Sequence, residues 1–416
     1  MFKIGVIGAG PAGMLASAML AEKGNEVVLF EKNEKLGKKL YITGKGRCNV
    51  TNIATGESFL NKVVNGKMFL RASLSSFTSN DTINFLTKFG VKTKIERGGR
   101  VFPESDKSSD IIKAFEKYLK QTDVIVKLNT EVKELIVKDN IIKGLLTSSN
   151  ERFLFDKIIV ATGGISYPAT GSTGDGYKFA KSFGHSITAL NPALVPIIIK
   201  EKICSLEGIS LKNVQLIAKN DKKTIFESEI GEMLFTENSL TGPLVLSCSS
   251  YINKYDLKEI KLSIDFKPAL TIQQVEKRIE REFLENKNSN LSTVISMLLP
   301  KRLVDYFLIE LDISSDIKIN QITKCDRKKI VAGLKGLEFS PLYLENIERA
   351  VVTSGGVCLK EINPSTLESK IIKGLYFTGE VLDVDALTGG FNIQIALSLS
   401  ALLANKINLL NDKGEN

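Results

Sequence analysis

The chain has 416 residues, 43% hydrophobic and 25% charged, with a formal net charge of +9 and a single histidine. That length exceeds what one core normally serves, so two or three domains are expected, of ordinary globular composition rather than disordered or fibrous. No apolar run is expected to reach the roughly 20 residues of a bilayer span, and no cleavable leader is expected, because the first apolar run is used as a strand.

Cys48, Cys204, Cys248, Cys325 and Cys358 lie far apart with no CxxC pair, which points to reduced thiols, a cytoplasmic setting and no metal centre. The basic surplus suits anionic partners such as nucleic acid or NADPH. With the lysines spread along the chain and no tryptophan, a dispersed solvated surface is the expectation. Nucleic acid and membrane are not expected as partners.

Lys3–Ile7 reads as a short buried strand. Gly8-Ala9-Gly10-Pro11-Ala12-Gly13 turns it into an apolar helix, and a second apolar run, Val27–Phe30, ends in Glu31. Strand, glycine turn, helix, strand and acid together are the context a dinucleotide fingerprint requires. Gly8 allows the tight turn, Gly10 lets backbone approach a pyrophosphate, and Gly13 lets helix and strand pack closely. The helix N-terminus offers N–H groups to phosphate, and Glu31 suits a ribose hydroxyl.

The stretch from Leu36 to Asn52 reads as a polar, glycine-rich loop running along a bound dinucleotide. It holds Lys39, Gly44, Gly46, Arg47, Asn49 and Thr51, whose N–H groups and side chains suit a flavin edge. Cys48 reads as a packed thiol. Residues 66–120 are expected to be helical, interrupted by a glycine-proline loop at 96–105 in which Arg97 or Arg100 suits an anionic substrate or cofactor phosphate.

From 124 to 160 the periodicity is that of strands, with a turn at Asp139-Asn140. The last strand opens into Ala161-Thr162-Gly163-Gly164, small residues suited to passing close to a cofactor. Ser172-Thr173-Gly174-Asp175-Gly176 opens a helix with Asp175 as its expected cap, and His185 is expected to be structural.

Asn191–Pro196 reads as an exit linker. Short alternating strands follow to about residue 243, then a lysine-rich, more helical stretch to about 335 with a capping box at Thr271 and Gln274. No chemistry-bearing cluster is found there, so it is expected to be an insert covering the active site. Gly379-Glu380, Asp383 and Thr388-Gly389-Gly390-Phe391-Asn392-Ile393 then lead into a long apolar helix. Its N-terminus suits the edge of a reduced flavin that becomes negative.

Taken together, Gly8–Gly13, residues 43–52, Gly99–Pro103, Ala161–Gly164, Gly171–Gly176, Gly231–Thr236 with Thr241–Pro243, and the segment from Gly379 to Asn392 resemble one family over nearly the whole chain. The sequence is similar to the BaiN/RdsA-type FAD-dependent oxidoreductases, also called the aminoacetone oxidase family. The resemblance implies an α/β protein with a discontinuous, glutathione-reductase-like Rossmann FAD domain (1–190 and 346–416). It implies an inserted β-barrel-like domain (191–245 and 320–345) and a helical insert (246–319).

It implies tight, non-covalent FAD, with Glu31 at the adenosine ribose, the Val132 backbone near adenine, and residues 43–52, Asp383 and Gly390–Ile393 around the flavin. NAD(P)H is the implied transient donor, although no second glycine fingerprint is present. Arg47, Arg100 or Tyr167 would polarise or protonate a small electron-poor substrate. The alternatives are a flavin oxidase of an aminoacetone-like amine and an FAD-dependent RNA-modifying enzyme. One departure stands out: Glu237 occupies the place of an expected histidine after Leu-Phe-Thr, and Ser239 that of a glycine.

Overall fold

The computed structural model describes residues 1–412; the last four residues of the expected 346–416 segment lie outside them. The chain forms two compact units, Met1–Asn191 with the chain from Ile347 onward, and Pro192–Asn346. Each has its own apolar core.

In the first unit β1 (Lys3–Ile7) lies at the centre of a five-stranded parallel sheet. On one side it pairs with β2 (Glu26–Phe30), which pairs with Ile125–Lys127. On the other it pairs with Lys157–Val160, then Leu375–Phe377. The strands are short and almost continuously apolar, as expected of strands covered on both faces.

Helix α1 (Pro11–Ala21) makes the crossover between β1 and β2, and an antiparallel meander of Val132–Lys138, Ile141–Thr147 and Arg152–Leu154 leads back to the sheet. Asp139 and Asn140 both have left-handed backbone (φ 53° and 57°) at its first turn, as a two-residue hairpin prefers.

The terminal helix Phe391–Asp412 corrects one expectation. It contains a 20-residue stretch, Phe391–Leu410, of mean hydropathy 1.4, long and apolar enough for a bilayer. Yet 72% of its most apolar window is buried inside the fold. Here it is a core helix, apolar all round because it is surrounded.

Two other stretches differ from expectation. The 36–52 loop contains the short helix Lys38–Ile42. The 96–105 loop is the end of a β-hairpin, Thr93–Glu96 with Arg100–Pro103. Gly98 and Gly99, both left-handed (φ 78° and 71°), close its turn, and Arg100–Val101 pairs onward with Thr51–Asn52.

In the second unit one sheet runs in the order Leu337–Phe339, Ile260–Asp265, Ser210–Asn220, Gly231–Phe235, Ser239–Thr241, Ile197–Ile199, Pro341–Leu344. Its two end strands are consecutive in sequence with only Ser340 between them, so the sheet curls back on itself. Ile260–Asp265 falls inside the stretch read as helical. Its alternating burial has a strand period, hidden in the sequence by flanking lysines. The capping box at Thr271 forms: its hydroxyl accepts from Gln274 N–H at 3.3 Å, and Gln274 Oε1 accepts from Thr271 N–H at 2.8 Å.

Charge is divided unevenly. Residues 192–346 hold 22 Lys/Arg against 21 Asp/Glu, a net of +1, whereas residues 32–120 hold 18 against 8, a net of +10. The surplus is therefore neither dispersed nor carried by the insert; it belongs to the first unit.

Candidate cofactor site

The glycine turn is built by close approach. A Cβ on Gly8 would meet the Ala161 carbonyl oxygen at 2.7 Å, and one on Gly13 would meet the Gly8 carbonyl at 1.9 Å. A Cβ on Gly10 would meet nothing within 4 Å. Two of the three glycines are thus needed by packing, and the third faces open space at the start of α1. Gly10 is the N-cap and provides no side-chain cap, so the first N–H groups of the helix keep their dipole end for an anion.

Glu31, buried at 8% exposure, accepts from Ala9 N–H at 2.9 Å through one oxygen and from Asn33 N–H and Nδ2 at 2.9 and 2.6 Å through the other. It therefore also pins the glycine turn. Lys32, the next residue, donates to Asp175 at 2.6 Å. Asp175 is not the cap of its helix; Gly174 is. Burial alone would raise the Asp175 carboxyl, but hydrogen bonds from Lys32, Lys178 and Thr173 hold it below its usual range. A polar groove of about 620 Å³ lies alongside, lined in part by Lys32, Asn33, Thr130, Glu131, Ser148 and Thr173. It runs beside both Glu31 and Val132 in sequence.

The 43–52 segment has left-handed backbone at Gly44, Lys45, Gly46 and Cys48 (φ 59°, 58°, 86°, 58°). Two of these are not glycine, a cost of about 1 kcal/mol or more each. Cys48 is fully buried, and burial pushes its thiol up to about 12, so it is not a reactive thiolate.

Arg47 donates through Nε to Asp106 at 2.8 Å, pairs with Glu96, and lies 4.3 Å from the centre of the Phe102 ring. Hydrogen bonds to Glu96, then to Asp106, raise the guanidinium above its ordinary value, so it is a fixed positive charge rather than a proton donor. Arg100 is more loosely held, its Nε on the Arg97 carbonyl at 3.0 Å. Tyr167 is half-buried with left-handed backbone (φ 53°). Its neighbour Ser166 accepts from Lys39 Nζ at 2.7 Å, and Lys39 pairs with Glu380 at 2.9 Å.

Several expected contacts turn inward instead. The Thr51 hydroxyl donates to Gln394 Oε1 at 2.6 Å, and the Asn392 amide is spent on Ala386 N–H and C=O at 2.9 and 2.7 Å. Phe391 is 3% exposed and packs edge-on against Phe59. These residues can face a cofactor only through backbone. A Cβ on Gly390 would meet the Thr51 carbonyl oxygen at 2.4 Å, and one on Gly379 would meet Ala12 Cβ at 3.0 Å. The terminal helix therefore starts directly against the 43–52 segment, and the Gly379 turn against α1. Asn52 ties this corner to the hairpin, donating from Nδ2 to the carbonyls of Gly98 at 2.9 Å and Gly389 at 3.1 Å.

Asn49 Oδ1, Thr162 Oγ1, Asp383 Oδ1 and Tyr177 OH are buried without a protein hydrogen-bond partner. A buried polar atom left unsatisfied costs about 1–3 kcal/mol, so a set of them beside glycine turns fits a polar ligand bound there. Tyr177 was missed by sequence reading, and only its place just after Gly174-Asp175-Gly176 signals it. His185 is structural. It is 3% exposed, with Nδ1 3.3 Å from the Ala180 carbonyl and Nε2 2.8 Å from Ser369 Oγ.

The parallel sheet, the glycine turn into α1 and the buried carboxylate after β2 form a Rossmann-type arrangement, and, with the family match that follows, the class is a Rossmann-type FAD-dependent oxidoreductase. The chain matches the family model described as "HI0933-like protein Rossmann domain" over residues 2–406, and it belongs to that family.

It is 30% identical to the 3-dehydro-bile acid delta(4,6)-reductase of Clostridium scindens over 95% of this chain and 96% of that one. It is 33% identical to the ribosomal RNA dihydrouridine synthase of Haemophilus influenzae over 94% and 95%. A 3-ketosteroid delta1-dehydrogenase structure from Sterolibacterium denitrificans shares the fold at TM-score 0.56, with 13% identity over 98% and 99% of the two chains.

Proposed function

We propose that this oxidoreductase reduces a carbon–carbon double bond conjugated to a carbonyl, with NAD(P)H as the electron source. The balance is simple: hydride reaches the β-carbon, a proton reaches the α-carbon, and the nicotinamide is oxidised. Bound FAD supplies the two-electron relay between donor and acceptor. The observation that carries this reading is the chemistry shared by two full-length relatives. One is named as a reductase of a dehydro-bile acid, the other as a synthase of dihydrouridine. Dihydrouridine is uridine with two hydrogens added across a ring double bond conjugated to a carbonyl.

In this reading the α1 N-terminus and the Gly8–Gly13 turn hold the pyrophosphate, and Glu31 and the Val132 backbone hold the adenosine end. Asn49, Thr162 and Asp383 hydrogen-bond the flavin end, with backbone at Ala161, Gly163 and Gly389–Ile393 lying close to it. The Lys39–Glu380 pair locks the Ser166 turn. Arg47 and Arg100 keep positive charge near the site, which favours an acceptor whose carbonyl gains negative charge, and Tyr167 is the proton donor.

The concentration of basic charge in residues 32–120 favours a second reading, in which the reduced bond is in the uracil ring of an RNA. Anaerobic mixing of the FAD-loaded protein with NADPH or NADH, followed by a cyclic enone or an RNA, tests both. Loss of the oxidised-flavin absorbance and its return on adding acceptor is expected. A flavin that stays oxidised with both nucleotides and bleaches with an aminoketone would instead make it an amine oxidase.

A further inference from the structure

Part of the +10 surplus of residues 32–120 is gathered by tertiary contacts into one corner of the first unit. The Arg100–Pro103 strand pairs with Thr51–Asn52, and Ile53 N–H bonds the Gly99 carbonyl at 2.9 Å. Ser108 N–H bonds the Gly46 carbonyl at 2.8 Å, which brings Lys107 beside Lys45. Lys45, Arg47, Lys92, Lys94, Arg97, Arg100 and Lys107 thus share a corner with three carboxylates, Glu96, Glu104 and Asp106, a local net of +4. Glu96 and Asp106 are already engaged by Arg47 and Lys94. Lys45, Lys92, Arg97, Arg100 and Lys107 are all exposed. So are Ile42, Ile53 and Ile95, at 46%, 46% and 59%, apolar surface of the kind an unstacked base covers. Through Asn52 the hairpin tip is tied to Gly389, at the start of the terminal helix.

We propose that this corner, built on the Thr93–Pro103 hairpin and the Gly44–Cys48 loop, is a docking surface for the phosphates of single-stranded or looped RNA. It would deliver a base to the flavin end of the same unit. The proposal rests on the RNA reading above and assigns to it a place on the molecule. Single-stranded form is required because a base in a duplex must leave its stack before an active site can act on it. The nearly neutral insert is not part of this surface.

Fluorescence anisotropy of the FAD-loaded full chain with a labelled oligouridylate of about 12 nucleotides, over a salt series, tests it. Four surplus charges predict a log–log slope of about −3, at about 0.7 per phosphate for single strands. Lys92→Gln with Arg97→Gln is expected to flatten the slope by about 1.4 and weaken binding, whereas Lys222→Gln with Lys223→Gln on the insert leaves both unchanged. No binding at low salt overturns the proposal, as does an insert pair that weakens binding as much as the hairpin pair. Turnover of a small cyclic enone with NADPH on the same preparation separates the two ideas. Enone reduction without RNA binding sinks the surface and keeps the reductase. RNA binding with no double-bond reduction keeps the surface and sinks the reductase.

Discussion

The cofactor unit and the insert are held together differently. In the cofactor unit the glycines of the first turn and of the terminal helix start meet backbone, Gly8 on Ala161, Gly13 on Gly8 and Gly390 on Thr51, whereas others such as Gly66, Gly164 and Gly176 meet side chains. In the insert they mostly meet side chains that can move, such as Gly231 against Leu244 and Gly333 against Phe307, with Gly242 against the Met233 backbone as the exception. Backbone cannot step aside as a leucine methyl can, so the glycine turn and the start of the terminal helix are rigid where the Gly231 and Gly333 contacts of the insert can adapt.

The strongest way to break that contrast is to add one methyl group to each unit. Gly13→Ala puts a Cβ 1.9 Å from a carbonyl oxygen. It is expected to cost about 3 kcal/mol or more and to yield a colourless protein, read by thermal unfolding and flavin absorbance. Gly231→Ala, whose Cβ would meet the end of Leu244 at 2.6 Å, should cost about 1 kcal/mol or less and leave the protein yellow. Equal losses from the two would overturn the distinction.

Next are the ion pairs. Glu380→Gln removes the partner of Lys39, with side chains 21% and 24% exposed. Asp265→Asn removes that of Lys335, at 8% and 16%. Each is expected to cost about 2–3 kcal/mol, because a charge stays behind with less solvent than it needs. Only the first should weaken FAD binding, which a titration of apoprotein with FAD measures.

A smaller effect is confined to one group. Burial holds the His185 imidazole below its ordinary value, outweighing the Ala180 carbonyl and Glu361, which act the other way. The neutral ring accepts from the Ser369 hydroxyl, whose oxygen already accepts from Ile371 and Ile372 N–H; Nδ1–H then donates to Ala180. The folded value is depressed, so this contribution is fully present above about pH 6.5, the free imidazole value. As pH falls below that, it declines at no more than about 1.4 kcal/mol per pH unit until the folded value is reached. His185→Gln should flatten that part of the stability profile, measured by urea unfolding from pH 7 to 5.

The smallest effect is chemical. A thiol reagent at pH 8 should label the exposed Cys204 and Cys325 promptly and the buried Cys48 and Cys248 only on unfolding. Early loss of Cys48 would mean that its loop opens readily.

Much of the cofactor half was legible in the sequence because its signals are local. A strand, a glycine turn, a helix and an acid follow one another within 31 residues, and of the turn's glycines Gly8 answers to a backbone angle and a close neighbour and Gly13 to a close neighbour. The meander turn and the Thr271 capping box were legible for the same reason: both are settled by residues two or three apart.

What the tertiary structure alone decided depends on partners tens to hundreds of residues away. Thr51 turns toward Gln394 and Asn65 toward Asp385. Arg47 is captured by Glu96, on a hairpin that composition presented as a loop, and by Asp106 just beyond it. The long apolar helix is placed in the core rather than a bilayer by the surface that surrounds it. Part of the basic surplus of residues 32–120 becomes a corner because Thr51–Asn52 pairs with Arg100–Val101 and Ser108 N–H bonds the Gly46 carbonyl. Local sequence determines which conformations a segment can hold, whereas contact between distant segments determines which side chains remain available for a ligand.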